Sequence, residues 1–210
     1  MKRITRNFAL PAALAATLVL AACGTADTSS SGGTNPAASA ASNTRANKTK
    51  NEADVVFASM MIPHHAQAIA MADMALNQAN DPKVKALAPK IKAAQSPEIE
   101  RMSGWLTGWG APIPGSDVDS DMSGMAGMGD QTGGMMPARE ITNLGNATGS
   151  AFDRMWLKMM VRHHQGAVDM AKTALAQGAN PDARKLAKAV IDGQSSEIAE
   201  MNSILTELPG

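Results

Sequence analysis

The sequence has one cysteine, Cys23, no tyrosine, and only three tryptophans and three phenylalanines in 210 residues. A single cysteine excludes an internal disulfide, so packing or a bound metal must stabilise the fold. With so few aromatic side chains, the core must rely on Met, Leu, Ile and Ala. Nineteen basic residues balance nineteen acidic ones, and nothing in this charge suggests a nucleic-acid partner. Methionine is abundant, with 16 residues.

Residues 1–22 have the composition of a cleaved export signal. Three basic residues precede an apolar run from residue 8 to residue 20, which is too short to span a bilayer. The small residues directly before Cys23 resemble the lipobox of bacterial lipoproteins, and this resemblance implies cleavage before Cys23 and lipidation of that residue. An ordinary signal peptide with an unrelated cysteine is the alternative. We therefore expect an exported protein that is lipid-anchored in the bacterial cell envelope, on the periplasmic or cell-surface side.

Residues 23–51 predict a disordered tether. They are mostly Ser, Thr, Ala, Asn and Gly, and a segment with so few large apolar side chains cannot bury enough surface to offset its ordering entropy. Such a tether would hold the folded part clear of the membrane. Apolar periodicity follows, and residues 52–208 predict one folded domain.

The sequence that begins at residue 61 is repeated 99 positions later without a gap. All four histidines belong to this repeat, as the pair His64 and His65 and the pair His163 and His164. An unbroken register over about 45 residues is a strong repeat signal, and two copies are too few for a solenoid. The repeat therefore predicts a single domain with pseudo-twofold symmetry.

Apolar residues recur at helical spacing in both copies, and both histidines of each pair lie on the apolar face of a first helix. A second helix follows, with Pro82 or Pro181 in its first turn after a capping Asp or Asn. Two helical hairpins joined by a long connection predict an all-α four-helix bundle. Interior prolines predict bends in the helices of the first copy; these are Pro63, Pro89 and Pro97.

A glycine-rich connection from about residue 108 to residue 147 separates the two hairpins. It contains five methionines among Gly, Ser and Asp: Met122, Met125, Met128, Met135 and Met136. No apolar face accompanies them, so packing explains them poorly, and the spacing of the first three resembles the Met motifs of exported copper-handling proteins. Long loops in compact domains are usually functional or disordered. We predict metal capture by this loop, which the fold would not need; a disordered linker is the alternative.

Imidazole and thioether groups are ligands of copper(I) and silver(I). Adjacent residues on a helix lie about 100° apart, so we expect one ion to bind only one histidine of each pair. We favour His64 and His163 over His65 and His164 because they share helical stripes with methionines. The stripe methionines, which ordinary packing explains equally well, are Met60, Met61, Met71, Met102, Met159, Met160, Met170 and Met201. Four polar residues of the second helices could be ligands or could orient a histidine, and a solvated face is equally compatible: Gln95, Glu98, Gln194 and Glu197.

Two motifs carry a family resemblance: Met-Ile-Pro-His-His with Ala-x-x-Met-Ala at 61–72, echoed at 160–171, and Gln-x-x-Glu-Ile-x-x-Met at 95–102 and 194–201. They resemble the domain-of-unknown-function 305 (DUF305) family over about residues 52–208. The resemblance implies a ferritin-like four-helix bundle and an exported copper-binding protein linked to copper resistance. Six residues match the motif as candidate ligands: His64, His65, Met71, His163, His164 and Met170. Arg162 replaces the proline of the motif, which should affect helix shape more than ligation.

The function predicted from these features is capture, buffering or delivery of copper, or of silver or another soft metal, by a lipid-anchored protein. A copper-handling protein would be its further partner. A metal-dependent oxidoreductase on the same bundle is one alternative, although the Glu-x-x-His motif of di-iron bundles does not occur in the sequence. A structural envelope lipoprotein whose histidines only fill the core is the other.

Overall fold

The structure, a computed structural model, describes residues 49–115 and 133–209. These described residues form five helices: α1 (Glu52–Gln78), α2 (Pro82–Trp109), α3 (Ala138–Asn146), α4 (Gly149–Gln177) and α5 (Pro181–Glu207). The two described ranges contain no β-strand, so the all-α prediction is confirmed. The predicted signal peptide, most of the tether and three loop methionines, Met122, Met125 and Met128, lie outside the described residues.

Polar side chains cap the second helix of each hairpin, as the sequence predicts. The Asp81 carboxylate accepts the backbone N–H of Lys83 at 2.7 Å at the start of α2. The Asn180 side chain accepts the N–H of Asp182 at 3.0 Å at the start of α5. Because the first N–H groups of a helix have no partner within the helix, these bonds fix where the helices begin.

The connection between the hairpins is shorter than predicted. Helix α2 continues to Trp109, and the nine-residue helix α3 occupies residues 138–146. Leu144 of α3 is fully buried because the short helix packs on α4. So short a helix shows little periodicity in the sequence, which explains why it was missed.

The interior prolines do not interrupt the helices. Pro63 lies inside the continuous helix α1, and Pro89 and Pro97 lie inside α2. Helix α1 is also long and apolar enough, by length and composition, to cross a membrane. Twelve of its residues are buried against the rest of the fold, both histidines among them, which is the behaviour of a core helix.

The four long helices pack as two hairpins, α1 with α2 and α4 with α5, and the hairpins meet mainly through α1 and α4. Their buried apolar residues form two clusters, and each cluster takes one half of every long helix. Between the two halves, each helix carries buried or half-buried polar residues. This polar layer consists of His64, His65, Gln95, Glu98, His163, His164, Gln194 and Glu197.

Candidate metal centre

His64 and His163 face each other where α1 packs on α4. Their ring centroids are 3.7 Å apart, and the ring planes are tilted by 36°. All four histidines are buried, with at most 1% of each residue exposed. The prediction that the histidines point into the bundle is therefore confirmed, and the structure brings together the two that the methionine stripes favoured.

His65 and His164 each pair with a glutamate of the second helix in their own hairpin. His65 Nε2 lies 2.7 Å from Glu98 Oε2, and His164 Nε2 lies 2.7 Å from Glu197 Oε2. Both rings lie more than 6 Å from the adjacent histidine of the same helix, centroid to centroid. The two glutamates thus act as acceptors that orient a histidine, one of the roles that the sequence left open.

These contacts determine which ring nitrogens carry hydrogen. His64 Nε2 lies 2.8 Å from the carbonyl oxygen of Gly133. Carbonyl and carboxylate oxygens only accept, so Nε2 of His64, His65 and His164 must donate, and in a neutral imidazole the other nitrogen then keeps its lone pair. The Nδ1 atoms of these three rings lie buried in the core.

These three Nδ1 atoms have no hydrogen-bond partner within residues 49–115 and 133–209. The same is true of both ring nitrogens of His163, both amide atoms of Gln95 and the amide oxygen of Gln194. A buried polar atom without a partner costs about 1–3 kcal/mol. Eight such atoms in one layer are difficult to reconcile with histidines that only fill the core.

The environment also keeps the central imidazoles neutral. Burial, with the neighbouring His65 as the next cause, lowers the pKa of His64 from 6.5 to about 3. Burial and the facing His64 lower the pKa of His163 well below 6.5. Neutral imidazole is the form that binds metal ions, so the pair needs no deprotonation near neutral pH.

The stripe methionines fall into two groups. Met60 and Met170 are half-buried and line a groove of about 590 Å³ between the N-terminal half of α1 and the C-terminal half of α4. The others are buried in the two apolar clusters, where packing alone accounts for them: Met61, Met71, Met102, Met159, Met160 and Met201.

The prediction for Met136 was wrong in one respect, because packing does explain this residue. Met136 is fully buried, and its sulfur accepts a hydrogen bond from Arg162 at 2.7 Å. Its backbone N–H and carbonyl both bond to the side chain of Gln67. These packing partners lie on α1 and α4, far from Met136 in the sequence, so no local apolar periodicity predicts the contact. Met135 is half-buried.

Sequence reasoning also missed Gly133, which contacts His64, and two residues that contact the same segment, Gln67 and Gly166. Gly133 supplies the carbonyl for His64, and Gly166 packs directly against Gly133. The sequence held one sign of these residues. Gln67 and Gly166 occupy the same position of the repeat, just after the histidine pair, and they differ sharply in size and polarity.

The donor set suits soft ions of low coordination number. No three His, Cys, Asp or Glu side chains within the described ranges are grouped so that they could hold a metal ion. The donors that the described residues offer at this place are the two imidazoles of His64 and His163 and the thioethers on their helical stripes. Copper(I) and silver(I) accept such ligands.

Comparison with known proteins gives the family and several similar structures. The model of the family described as "Domain of unknown function (DUF305)" matches residues 54–205. A DUF305 crystal structure from Streptomyces coelicolor is 32% identical, has a TM-score of 0.64, and is matched over 74% of this chain and 93% of that one. CopM in the Cu(II)-bound form is 35% identical, has a TM-score of 0.61, and is matched over 73% of this chain and 96% of its own.

The same CopM architecture is also known in Cu(I)-bound and Ag-bound forms. A shorter match, 40% identical over 55 residues, links 26% of this chain to 36% of protein L153 of Acanthamoeba polyphaga mimivirus, so the chain spans only about a third of that relative. The family match covers all four long helices, both histidine pairs and both glutamates. The chain belongs to the DUF305 family.

Proposed function

We propose that this protein captures copper(I), or the chemically similar silver(I), through the facing imidazoles of His64 and His163, without turning over a substrate. The observation that carries the proposal is the pair itself: two buried, neutral rings with centroids 3.7 Å apart and no partner for His64 Nδ1 or for either nitrogen of His163 within the described residues. A metal ion would supply the missing interaction.

The CopM structures support the choice of metal. That protein shares about a third of its residues and the fold with this chain, and it is known with copper in both oxidation states and with silver. Buried imidazoles and thioethers in this chain are the donors that such ions prefer. Binding of a soft metal ion at the polar layer therefore agrees with both the relatives and the local chemistry.

Capture is favoured over catalysis by the cavities. The groove of about 590 Å³ is lined by Met60 and Met170 and by no histidine. A small pocket of about 40 Å³ reaches Glu98 and Glu197, again without a histidine. An oxidoreductase would need room for a substrate beside its metal, and these two cavities, which described residues line, do not reach the rings. The purely structural alternative is disfavoured by the eight unpartnered atoms of the polar layer.

The cellular setting is part of the proposal. The export signal and the lipobox-like sequence before Cys23 support a lipid-anchored protein on the outer side of a bacterial membrane. There, the methionines at positions 122, 125, 128 and 135 would add soft ligands that raise capacity, and a copper-handling protein would receive the metal. Replacement of Cys23 by Ala should release the protein from membranes if the anchor is correct.

Competition with a chromogenic copper(I) chelator tests the site. The double variant His64→Leu/His163→Leu should lose affinity strongly, whereas His65→Leu/His164→Leu, which changes the same helices one residue further on, should lose less. Circular dichroism must show that both variants keep their helices. Equal copper(I) affinity in the wild type and in the His64/His163 variant would refute the site and leave the loop as the ligand.

A further inference from the structure

Residues 133–136 form a strap that contacts α1 at His64 and Gln67 and α4 at Gly166. At one end, the Gly133 carbonyl accepts the Nε2–H of His64 at 2.8 Å. At the other end, the Gln67 side chain accepts the Met136 N–H at 2.7 Å and donates to the Met136 carbonyl at 2.9 Å. The strap is not helical and is held here by three hydrogen bonds that involve side chains of α1.

The strap also depends on a glycine in α4. A Cβ atom placed on Gly166 would lie 1.6 Å from the Gly133 oxygen and 2.7 Å from the Gly134 nitrogen. Any other residue would therefore collide with the strap backbone. Gly134 has φ +82 and also lies close to the backbone of Arg162, a conformation and an approach that favour glycine.

The departures from the internal repeat coincide with the strap. Gln67 and Gly166 occupy equivalent positions, yet one binds Met136 and the other makes room for Gly133. Arg162, which replaces the equivalent proline, donates to the Met136 sulfur and pairs with Glu140. The pseudo-twofold symmetry of the repeat is therefore broken at the positions that contact the strap, because the strap has no second copy among the described residues.

We propose that Gln67 and Gly166 are positioning residues that hold the strap closed over His64 and His163, and that metal exchange at this pair requires the strap to detach. This inference rests on the proposed function. The rings are 1% exposed, so an ion cannot reach them without an opening. Among the described residues, the strap is an adjoining non-helical segment, and three hydrogen bonds to side chains of α1 hold it in place.

Site-resolved modification of the metal-free, full-length protein with diethyl pyrocarbonate, read by mass spectrometry, tests the strap. Gln67→Met keeps the volume but removes both bonds to Met136, and Gly166→Ala pushes the strap away. Loss of two hydrogen bonds should raise the population of the open state about tenfold. The modification rates of His64 and His163 should rise by the same factor. Gly104→Ala is the control, since no atom lies within 4 Å of a Cβ at that position in α2.

The pattern across the four histidines separates strap release from general destabilisation. Release of the strap should leave the rates at His65 and His164 unchanged, because Glu98 and Glu197 hold them from the other helices. An equal rise at all four histidines, or no rise at His64 and His163 in folded Gln67→Met, would overturn the proposal. Gln67→Met also keeps the test valid if Gly166→Ala fails to fold.

A second measurement links the strap to metal. Transfer of copper(I) from loaded protein to a chelator should be about tenfold faster in Gln67→Met than in wild type or Gly104→Ala, in proportion to the opening. The modification experiment uses no metal, so it can be read even if the protein binds no copper. Copper binding at the pair with an unchanged transfer rate would defeat the strap proposal alone.

Discussion

Asp54 of α1 and Asp153 of α4 occupy equivalent positions 99 residues apart, and each anchors the start of the second helix in the other hairpin. Asp153 accepts the backbone N–H groups of Asn80 and Asp81 at 3.0 and 2.9 Å. Asp54 accepts those of Ala179 and Asn180 at 3.1 and 3.0 Å. Both aspartates are buried. This reciprocal exchange fastens the two hairpins to each other at both ends of the bundle.

Replacement of Asp153 by Ala should destabilise the protein by about 3 kcal/mol or more, because it removes two hydrogen bonds to a carboxylate and leaves two N–H groups without acceptors. Urea denaturation followed by circular dichroism measures this change. Asp169→Ala, an exposed position of the same helix that pairs with Lys172, should cost less than about 1 kcal/mol. Equal effects of the two substitutions would contradict the anchoring role.

The metal-free protein should lose stability as the pH falls below 6.5. Burial lowers the pKa of His64 from 6.5 to about 3, so between these values the unfolded chain binds a proton that the folded chain does not. Stability then decreases as the pH decreases, by about 1.4 kcal/mol per pH unit for each such histidine. His163 should add to the loss, since its pKa is lowered too.

Urea denaturation between pH 7 and pH 5 measures this slope. The variant His64→Leu/His163→Leu lacks the two buried imidazoles, so its stability should depend less on pH over the same range. An unchanged slope in this variant would show that other groups cause the acid sensitivity.

Copper(I) should stabilise the folded state if it binds the folded chain preferentially. At a free concentration one hundred times the dissociation constant, the gain is about 2.7 kcal/mol, visible as a higher thermal midpoint. The gain should disappear in His64→Leu/His163→Leu and persist in a variant with Met122, Met125 and Met128 all replaced by Leu. Loss of the gain only in the methionine variant would assign the binding to the loop.

Two deletions should separate the methionine-rich sequence from the strap. Removal of residues 119–131 should leave helicity and stability unchanged, since a Gly- and Ser-rich sequence contributes little buried apolar area. Removal of residues 119–137 also takes away Met136, a buried core residue; loss of such a side chain typically costs about 2–5 kcal/mol. Thermal denaturation compares the two, and equal midpoints would contradict the structural role of Met136.

The helices and the burial of the histidines could be predicted because both are local properties. Periodicity places the histidines on the apolar face of a helix, and the repeat places a second histidine pair on the same face in the other copy. The methionines beside His64 and His163 favour these two as ligands, but only the structure shows that their rings face each other. The anchoring by Asp54 and Asp153 was missed, although the constant spacing extends to them, because their partners are backbone groups that carry no sequence signature.

The strap was missed for a related reason. The periodicity predicts no role for Gln67 or Gly166, and Met136 is predicted only as one of the five loop methionines. Only the three-dimensional path of residues 133–136 shows that these residues meet. Contacts between a side chain and a distant backbone depend on the fold as a whole, so a pattern within one helix does not reveal them.

The division of the interior by the polar layer has a consequence for the two repeats of the chain. Each apolar cluster takes residues from all four long helices, and the central imidazole pair takes one ring from each repeat. A lone hairpin would expose half of each core and present a single unmatched imidazole. A protein made of one repeat would have to dimerise to bury these clusters, so the present chain corresponds, in physical terms, to a dimer whose two subunits are covalently linked.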